Sequence, residues 1–439
     1  MSRTKPPLAK LPFYYGWIVI AVAFVTMAIA VNARTAFSLL FPAILEEFHW
    51  DRGVIAGAFS IGFVASGLFT PLMGYVMDRW GPRAVIPFGA VMVIGGLLGA
   101  TTVSSPFGFY VYLGFLVMTG TVAMTYFAHS MFLPHWFVRK RGLAIGIAFS
   151  GAGIGSITLL PWFQNIIDNS GWREACIVIA SVVAIIIPLA YYFQRQTPQE
   201  IGLEPDGDAG EEDVNNIQRP DPIVDQAWAN TEWTLALAAR TSRFWWIFFA
   251  YFSALYAWYS VLVHQTVYLV ETGFDSTTAA TALGLVGLFG IAGQIGLGAL
   301  SDRIGREWTW TLSLSGYFVC YGALLALPGT SSNFLLYLMV VMQGLLGFGL
   351  AALYGSVSAE VFAGRRFASI FAVCGLGGNL GAGVGPWLTG YLFDTMGNYQ
   401  VAFQLCMVMS VISIFCMWMA GPRKIRLVAG QAARRAAKG

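Results

Sequence analysis

Two ionisable side chains lie inside long apolar segments of this chain, where they could do chemistry. Arg34 belongs to the first apolar segment and His129 to the fourth. The planar guanidinium of an arginine forms paired hydrogen bonds with a carboxylate, so Arg34 predicts binding of a small organic anion. Imidazole gains and loses a proton near neutral pH, and Tyr126 lies one helical turn from His129 on the same face. This pair predicts a polar binding site or a path for a proton.

Uncharged polar side chains give further candidates in the second half of the chain. They are Tyr256, Gln343, Tyr354 and Asn379. The acidic residues stand at the ends of apolar segments, so we expect no proton relay built on a buried carboxylate. The five cysteines lie in apolar runs without metal-ligand spacing and are interpreted as small apolar side chains. The sequence therefore predicts no catalytic residue, no metal site and no cofactor.

The elements that position these residues are predicted to be membrane-spanning helices. The chain of 439 residues is 57% hydrophobic and only 11% charged, whereas about a quarter of an average soluble domain is charged. An apolar segment of about 20 residues crosses a bilayer as a helix. We predict an all-α integral membrane protein with twelve spans, numbered 1 to 12 in chain order: 14–41, 52–77, 83–103, 107–135, 142–167, 172–193, 244–270, 276–300, 308–328, 333–359, 367–393 and 400–420.

Basic residues are distributed unevenly between the loops. If the N-terminus is cytoplasmic, all but three of the 25 Lys and Arg residues fall on the cytoplasmic side, the exceptions being Arg34, Arg52 and Arg173. This asymmetry follows the positive-inside rule and predicts an inner (plasma) membrane protein with both termini in the cytoplasm.

Two alternatives remain open for the candidate substrate residues. Arg34, toward the outer end of span 1, could extend to the interface, and Tyr126 with His129 could be a structural hydrogen-bonded pair.

One long polar stretch, 194–243, divides the spans into two sets of six. Its Pro-, Gly- and acid-rich part predicts a linker, and the residues from Thr231, a candidate helix cap, to Arg243 predict a helix at the cytoplasmic surface. We therefore predict an N-terminal six-helix bundle (1–193), the linker with its interfacial helix (194–243), a C-terminal six-helix bundle (244–422) and a basic cytoplasmic tail (423–439).

The two sets of spans repeat each other. The stretch "GYVMDRWGPR", Gly74–Arg83, recurs as "GALSDRIGRE", Gly298–Glu307, and Gly120 recurs at the same spacing as Gly344. Several anchors at nearly one spacing are hard to obtain by chance. The recurrence predicts two pseudo-symmetric six-helix bundles.

Two six-helix halves, a long linker and the loop G-x-x-x-D-R-x-G-x-R between spans 2 and 3 resemble the major facilitator superfamily. The first copy has every motif residue, and in the second copy the last arginine is shifted by one, to Arg306. The resemblance covers essentially the whole chain and implies a secondary transporter, not an enzyme, that works by alternating access. It also places Asp78 at the start of span 11 near Arg365, and Asp302 at the start of span 5 near Arg141.

These contacts imply a latch that closes the cytoplasmic side and breaks when the carrier opens inward, since a helix N-terminus attracts an aspartate. The gating residues implied are Asp78, Arg79, Arg83, Arg141, Asp302, Arg303 and Arg365. The alternative is that the positive charges of both loops only fix the orientation of the spans.

Within the superfamily, "YYGWIVIAVAF", "WFVRKRGLAIGIAFSGAGIG" and "TPQEIGLEPDG" resemble the bacterial monocarboxylate-porter and oxalate/formate-antiporter branch. That branch implies a basic residue at or next to Arg34 and a tyrosine near Tyr126. Its anion-binding arginine of span 8 falls at Gln294 here, so one of the two charges that would hold a dicarboxylate is absent.

The resemblance therefore implies transport of a small organic monoanion, proton-coupled or by exchange. The substrate site implied by residue types and resemblance comprises Arg34, Tyr126, His129, Tyr256, Gln294, Gln343 and Asn379. The alternative is import of a neutral aromatic or heterocyclic nutrient such as riboflavin. The expected partners are the substrate, protons and the lipid bilayer, with no nucleic acid, and the expected state is a monomer.

Overall fold

The computed structural model describes residues 13–50, 52–207, 222–330 and 332–436, and long helices follow one another along them. Ten helices of the described residues are long and apolar enough to cross a membrane. The helices of spans 2 and 9 are not among these ten and are 29 and 21 residues long. The prediction of an all-helical membrane protein is confirmed. In chain order the spans are Gly16–Thr35 followed by Phe37–Phe48, Arg52–Trp80, Pro82–Ala100, Pro106–Trp136, Arg141–Ser170, Trp172–Phe193, Ser242–Glu271, Ser276–Ile304, Arg306–Ala326, Asn333–Val361, Phe367–Met396 and Gln400–Ala420.

Local start and stop signals set several of these helix ends. Asp275 begins span 8 by accepting a hydrogen bond from the backbone of Thr278 at 2.8 Å, which satisfies an amide that has no partner inside the helix. Spans 11 and 12 end at Gly397 and Gly421, both in the left-handed conformation. Glycine adopts that conformation without a steric penalty.

The chain forms two compact units. The first comprises Met1–Val138 and Ile147–Gln218, and the second comprises Arg139–Gly146 and Arg219–Gly439, of which the residues named above are described. The first residues of span 5 therefore belong to the second unit, together with the end of the linker and the C-terminal tail.

In the first unit, span 1 packs closely against span 5 around a buried asparagine. Asn32 donates from Nδ2 to the Ala152 carbonyl at 3.0 Å and accepts at Oδ1 from Ser156 Oγ at 2.9 Å. Gly155 allows this approach, because a Cβ there would overlap the Ala28 carbonyl and the Asn32 side chain. These contacts fix the rotation of span 1 against span 5.

In the second unit, spans 7 and 11 pack through a glycine face. A Cβ on Gly377 would overlap the Phe248 carbonyl, and one on Gly385 would overlap the Tyr256 carbonyl. Small residues at such positions let membrane helices come close enough for backbone contact.

Span 1 is longer than its apolar stretch. The sequence predicts an end near residue 41, but the helical course continues through Ala36, whose carbonyl accepts from the Leu40 amide at 3.0 Å, to Phe48. The difference is physical, because hydropathy marks the depth of the hydrocarbon region and not the length of the helix.

The predicted helix cap at Thr231 is wrong. Its hydroxyl donates to the Ala227 carbonyl at 2.8 Å and is engaged with the end of the short helix Gln226–Ala229. Thr234 takes the capping role instead, accepting from the Leu237 amide at 3.3 Å at the start of Leu235–Ala239.

Candidate functional site

Four charged side chains meet in the second unit where spans 5, 8, 9 and 10 end or begin. Arg306 Nη1 lies 2.8 Å from Asp302 Oδ1, and its Nη2 lies 3.3 Å from Glu360 Oε1. Arg141 Nη1 lies 2.8 Å from the same Glu360 oxygen. All four side chains are buried. Two cations and two anions balance, which is the condition under which charges are buried in proteins.

Asp302 also binds the start of span 5. Its two carboxylate oxygens accept hydrogen bonds from the backbone amides of Gly142 and Leu143, each at 3.0 Å. The backbones of Gly142 and Gly298 approach so closely that a Cβ on either would overlap the other's carbonyl. A carboxylate at a helix N-terminus stabilises by about 0.3–1 kcal/mol, and by up to about 2 kcal/mol when partly buried.

The structure places the other predicted gating residues outside this network. Arg303 and Arg365 are exposed, and Asp78 is half-buried in the last turns of Arg52–Trp80. Arg79 donates to the Tyr75 hydroxyl at 3.0 Å, and Arg83 donates to the Tyr191 carbonyl at 2.6 Å. Their part in gating stays a prediction.

Sequence reasoning missed two members of the network as functional residues. Arg306 was present as the shifted last arginine of the second motif, and Glu360 as an acid at the end of span 10. The signal that could have found them is their combination, because a lone carboxylate near the end of a span calls for a cation of matching depth.

Spans 4 and 10 are both interrupted helices, and at the spacing of Gly120 and Gly344 the break at Thr125 in span 4 corresponds to Gly349 in span 10. Span 4 contains a π-helical stretch, Tyr110–Val117, and is broken at Thr125, which is extended. Span 10 contains a π-helical stretch, Met342–Leu346, followed by a 3₁₀ stretch, Gly347–Ala352. Paired discontinuous helices mark the binding region in several transporter folds, and π-helical turns frequently occur at functional sites.

His129 lies directly after the break in span 4 and is fully buried. Its Nδ1 lies 3.1 Å from the Thr125 carbonyl. Because a carbonyl oxygen only accepts, Nδ1 must carry a hydrogen, and Nε2 of the neutral ring is then an acceptor. Among the described residues Nε2 has no hydrogen-bond partner. Tyr126 is half-buried, and its ring stands edge-on to Phe149 at 5.0 Å.

Arg34 is half-buried in the last turn of Gly16–Thr35, two residues after the buried Asn32. The helical course continues to Phe48, so about 20 Å of helix follows Arg34 at 1.5 Å per residue. Arg34 is therefore not a residue at the frayed end of a helix. Asn32, two residues earlier, is held against span 5 by hydrogen bonds, which fixes the rotation of this part of the helix.

The uncharged candidates of the second unit are mostly buried and incompletely hydrogen-bonded. Gln343 lies in the π-helical stretch of span 10, and neither atom of its amide has a partner within the described part of the chain. The Oε1 of Gln294 and the hydroxyls of Tyr256 and Tyr317 are likewise buried without a hydrogen-bond partner there. Asn379 is half-buried in span 11. Buried polar atoms normally have partners, so the amide of Gln343, the Oε1 of Gln294 and the two tyrosine hydroxyls are available to a ligand or to water.

Aromatic rings surround part of this polar set. The Trp258 ring centroid lies 6.2 Å from that of Tyr317 and 4.9 Å from that of Phe348. Tyr354 packs against Tyr251 at 4.3 Å, and its backbone carbonyl accepts from the Tyr251 hydroxyl. The second unit thus offers flat apolar surfaces next to uncharged hydrogen-bonding groups.

A groove of about 340 Å³ in the first unit has a different character. Its walls come from spans 2, 3 and 4 and are almost wholly apolar, and several of the wall residues are strongly exposed. None of the candidate substrate residues lines it. The lining residues are Phe69, Leu72, Met73, Val76, Trp80, Ala84, Val85, Phe88 and Ala123.

Comparison with known proteins places this geometry in a family. A family model described as Major Facilitator Superfamily matches residues 22–358 and 331–438. Monocarboxylate transporter 13 of Rattus norvegicus is 25% identical over 413 residues, which cover 92% of this chain and 87% of that protein. Monocarboxylate transporter 12 of Xenopus laevis is 25% identical over 443 residues, which cover 97% of this chain and 92% of that protein.

Solved structures show the same fold. The proton:xylose symporter XylE bound to 6-bromo-6-deoxy-D-glucose superposes with a TM-score of 0.73 at 14% identity, covering 96% of this chain and 99% of that chain. The human organic anion transporter MFSD10 gives a TM-score of 0.70 at 15% identity, covering 94% and 100%. The predicted twelve-helix major facilitator fold is confirmed. The chain belongs to the major facilitator superfamily and is a multi-pass membrane transporter of the secondary type rather than an enzyme.

Proposed function

We propose that this carrier moves a small organic monoanion of the monocarboxylate type, with a proton or in exchange for another anion. The observation that carries the proposal is Arg34, a half-buried cation within the long helical course of span 1, two residues after the buried Asn32 that packs against span 5. An intramembrane arginine costs about 2.5–3.5 kcal/mol on insertion scales, and such residues usually have a functional role; the planar guanidinium suits a carboxylate. The name monocarboxylate transporter, carried by the relatives at about a quarter identity, supports the same substrate class.

His129 is the proposed site for a coupled proton. Its Nε2 is an acceptor without a partner among the described residues, and an imidazole ring can take up and release a proton at such a nitrogen. Tyr126, Tyr256, Gln294, Gln343 and Asn379 are proposed to contact the uncharged part of the substrate. A substrate that arrives as the protonated acid carries its own proton and would not need His129. Substitution of His129 therefore separates transport of the proton by His129 from transport of the proton by the substrate.

The second candidate function is import of a neutral aromatic or heterocyclic nutrient. The observation that favours it is the Gln343 amide, which is fully buried with both atoms unpartnered among the described residues. An amide that donates and accepts at once matches the edge of a heterocycle, and the rings of Trp258 and Tyr317 suit its face.

We further propose that the contact between Asp302 and the start of span 5 is part of the gate. Alternating access requires contacts that form in one state and break in the other, at a cost of a few kcal/mol. The contact of Asp302 with Gly142 and Leu143 contributes about 0.3–1 kcal/mol to that cost, and up to about 2 kcal/mol when partly buried. By pseudo-symmetry, Asp78 is proposed to do the same for span 11, and Arg79, Arg83, Arg303 and Arg365 are proposed to take part in the gate.

The protein is proposed to function as a monomer in the inner (plasma) membrane with both termini in the cytoplasm. The support is the distribution of Lys and Arg, of which all but three lie on one predicted side.

The substrate proposal is tested by uptake into proteoliposomes. Arg34→Gln is expected to abolish uptake of small monocarboxylates, and Arg34→Lys is expected to restore part of it, because lysine keeps the charge but not the planar fork. Arg173→Gln is the matched control, since Arg173 is an exposed arginine paired with Glu47. Full monocarboxylate uptake by Arg34→Gln would overturn the proposal, and uptake of neutral heterocycles by the same variant would favour the second candidate.

A further inference from the structure

The C-terminal tail folds back onto the end of span 8. Its last helix, Ala429–Ala436, is called the tail helix here. Gln431 Nε2 donates to the Ile304 carbonyl at 2.8 Å, and Arg434 Nη2 donates to the Arg303 carbonyl at 2.5 Å. These are carbonyls of the last turn of Ser276–Ile304, which have no partner inside their own helix. Two side chains of the tail helix therefore cap span 8.

The backbones of the tail helix and of span 8 are also in direct contact. A Cβ on Gly430 would lie 2.5 Å from the Arg303 carbonyl oxygen. Gly305 has a φ of +109° and faces the Gln431 side chain. Both positions need glycine, one for the close approach and one for the turn that leads from span 8 to span 9.

The tail helix is held in place by the segment that precedes it. The amide of Val224, within the linker, donates to the Ile425 carbonyl at 2.8 Å, and the Leu427 amide donates to the Pro222 carbonyl at 2.7 Å. The Arg423 amide donates to the buried carboxylate of Glu307 at 2.8 Å. The segment before the tail helix is therefore held by hydrogen bonds to the linker backbone and to Glu307.

The docked tail acts on the turn that carries the proposed gate. Arg303 and Ile304, which it binds, directly follow Asp302, and Arg306 of the buried network comes two residues later. The tail also brings Arg426 within electrostatic range of Arg141. Fixing the carbonyls of Arg303 and Ile304 fixes the direction in which Asp302 presents its carboxylate to span 5.

We propose that Gln431 and Arg434 are positioning residues of the gate: the docked tail helix holds Asp302 in register with Gly142 and Leu143, and release of the tail weakens the closed state. The inference rests on the proposed gating role of Asp302. The hydrogen bonds from the side chains of Gln431 and Arg434 to span 8 lie outside the helix–helix packing of the spans, so the tail helix can be released without unfolding the bundle. A protein or modification that captures the tail would then act on transport from outside the substrate site.

The test measures how often the start of span 5 opens. Ala144 is 1% exposed in the first turns of span 5, so a thiol introduced by Ala144→Cys reacts with N-ethylmaleimide only when that region opens. In this background, Gln431→Ala with Arg434→Ala is expected to raise the reaction rate about three- to tenfold, the range set by the loss of one or two hydrogen bonds. Gly430→Ala, which removes no polar group, is expected to raise it as well. Arg435→Ala is the matched control, because Arg435 is an exposed arginine on the same helix.

A second background separates a positioning role from a structural one. Asp302→Asn alone is expected to raise the reaction rate, and the tail substitutions are then expected to add little, since residues that act through one contact are not additive. Arg434→Lys is expected to keep most of the wild-type rate.

Each contrary result overturns a different statement. If the tail substitutions lower the melting temperature and leave the reaction rate unchanged, or raise the rate equally in the Asp302→Asn background, the tail does not position the gate. If Asp302→Asn itself leaves the rate unchanged, the gating role of Asp302 fails first.

Discussion

The carboxylate of Asp302 and the backbone amide of Gly142 are 3.0 Å apart, although 160 positions separate them in the chain. The contact joins the last turn of span 8 to the first turn of span 5 inside the second unit. It exists because Gly142 and Gly298 carry no Cβ to hold the two backbones apart. One carboxylate, two amides and two glycines together make a contact that is strong enough to form and weak enough to break.

The first prediction concerns the charge of Asp302. Asp302→Asn keeps the size of the side chain but removes the attraction for the helix N-terminus, which contributes about 0.3–1 kcal/mol and up to about 2 kcal/mol when partly buried. It also removes the charge that pairs with the buried Arg306, and breaking a buried pair costs about 3–5 kcal/mol. The expected result is a lower proportion of the closed state, measured by thiol labelling at the start of span 5.

Asp275→Asn is the matched control for that change. Asp275 caps the opposite end of the same helix through the Thr278 amide and has no part in the buried network. Equal effects of the two substitutions on labelling would contradict a gating role for Asp302.

The second prediction compares two ion pairs of the same chemistry and different burial. Glu360 contacts Arg141 and Arg306 with side chains 1–5% exposed, whereas Glu47 contacts Arg173 with side chains about 40% exposed. Removing one member of a buried pair costs about 3–5 kcal/mol, whereas an exposed pair contributes at most about 1 kcal/mol.

Thermal unfolding in detergent checks that comparison. Glu360→Gln is expected to lower the melting temperature far more than Glu47→Gln does. Similar shifts for the two variants would mean that water reaches the network and that burial does not set its strength.

The sequence predicts those features of this protein that depend on single residues or motifs, and it does not predict contacts that depend on the folded backbone. The spans follow from hydropathy, and the position of Asp302 at the start of span 5 follows from the motif and its family. The partnership of Arg306 with Glu360 does not follow, because it depends on the turn between spans 8 and 9 bringing a shifted arginine to the end of span 10. Hydropathy also stops at residue 41 in span 1, whereas backbone hydrogen bonding continues to Phe48.

The break in span 4 at Thr125 and the hydrogen-bond partner of His129 likewise cannot be predicted from residue types. A histidine in an apolar segment predicts a polar contact, but only the local backbone shows that Nδ1 is engaged with Thr125 and Nε2 is not engaged within the described residues. The cap at Thr234 in place of Thr231 has the same origin, since both threonines have the right chemistry and only the preceding turn distinguishes them.

The third prediction concerns the packing that orients Arg34. Gly155→Ala would drive a Cβ into the Ala28 carbonyl and the Asn32 side chain, and overpacking of this kind costs about 1–3 kcal/mol. We expect a lower melting temperature and weaker anion uptake together. Gly95→Ala in span 3 is the matched control, because a Cβ there meets nothing within 4 Å, and alanine is favoured over glycine in a helix by about 1 kcal/mol. A tolerated Gly155→Ala would show that span 1 is not fixed by this contact.

The fourth prediction concerns proton coupling. His129→Gln is expected to abolish uptake driven by an inward proton gradient and to leave exchange of substrate for substrate intact, because only net movement of the proton needs a group that titrates. The two processes are measured in proteoliposomes with and without substrate inside. His135→Gln is the control, since His135 lies on the same span and also has its Nδ1 against a backbone carbonyl, that of Phe132. If proton-driven uptake survives His129→Gln, the proton is carried by the substrate itself and not by His129.

The most direct test of the account is a thermal-shift screen of the purified protein and of Arg34→Gln against small carboxylates and neutral heterocycles, including flavins. A ligand at a hundred times its dissociation constant stabilises the protein that binds it by about 2.7 kcal/mol, which moves the melting temperature measurably. We predict that small monocarboxylates raise the melting temperature of the wild-type protein and not that of Arg34→Gln. A shift produced only by neutral ring compounds, and unchanged in Arg34→Gln, would contradict the central claim and assign the buried amide and aromatic groups of the second unit to a neutral nutrient.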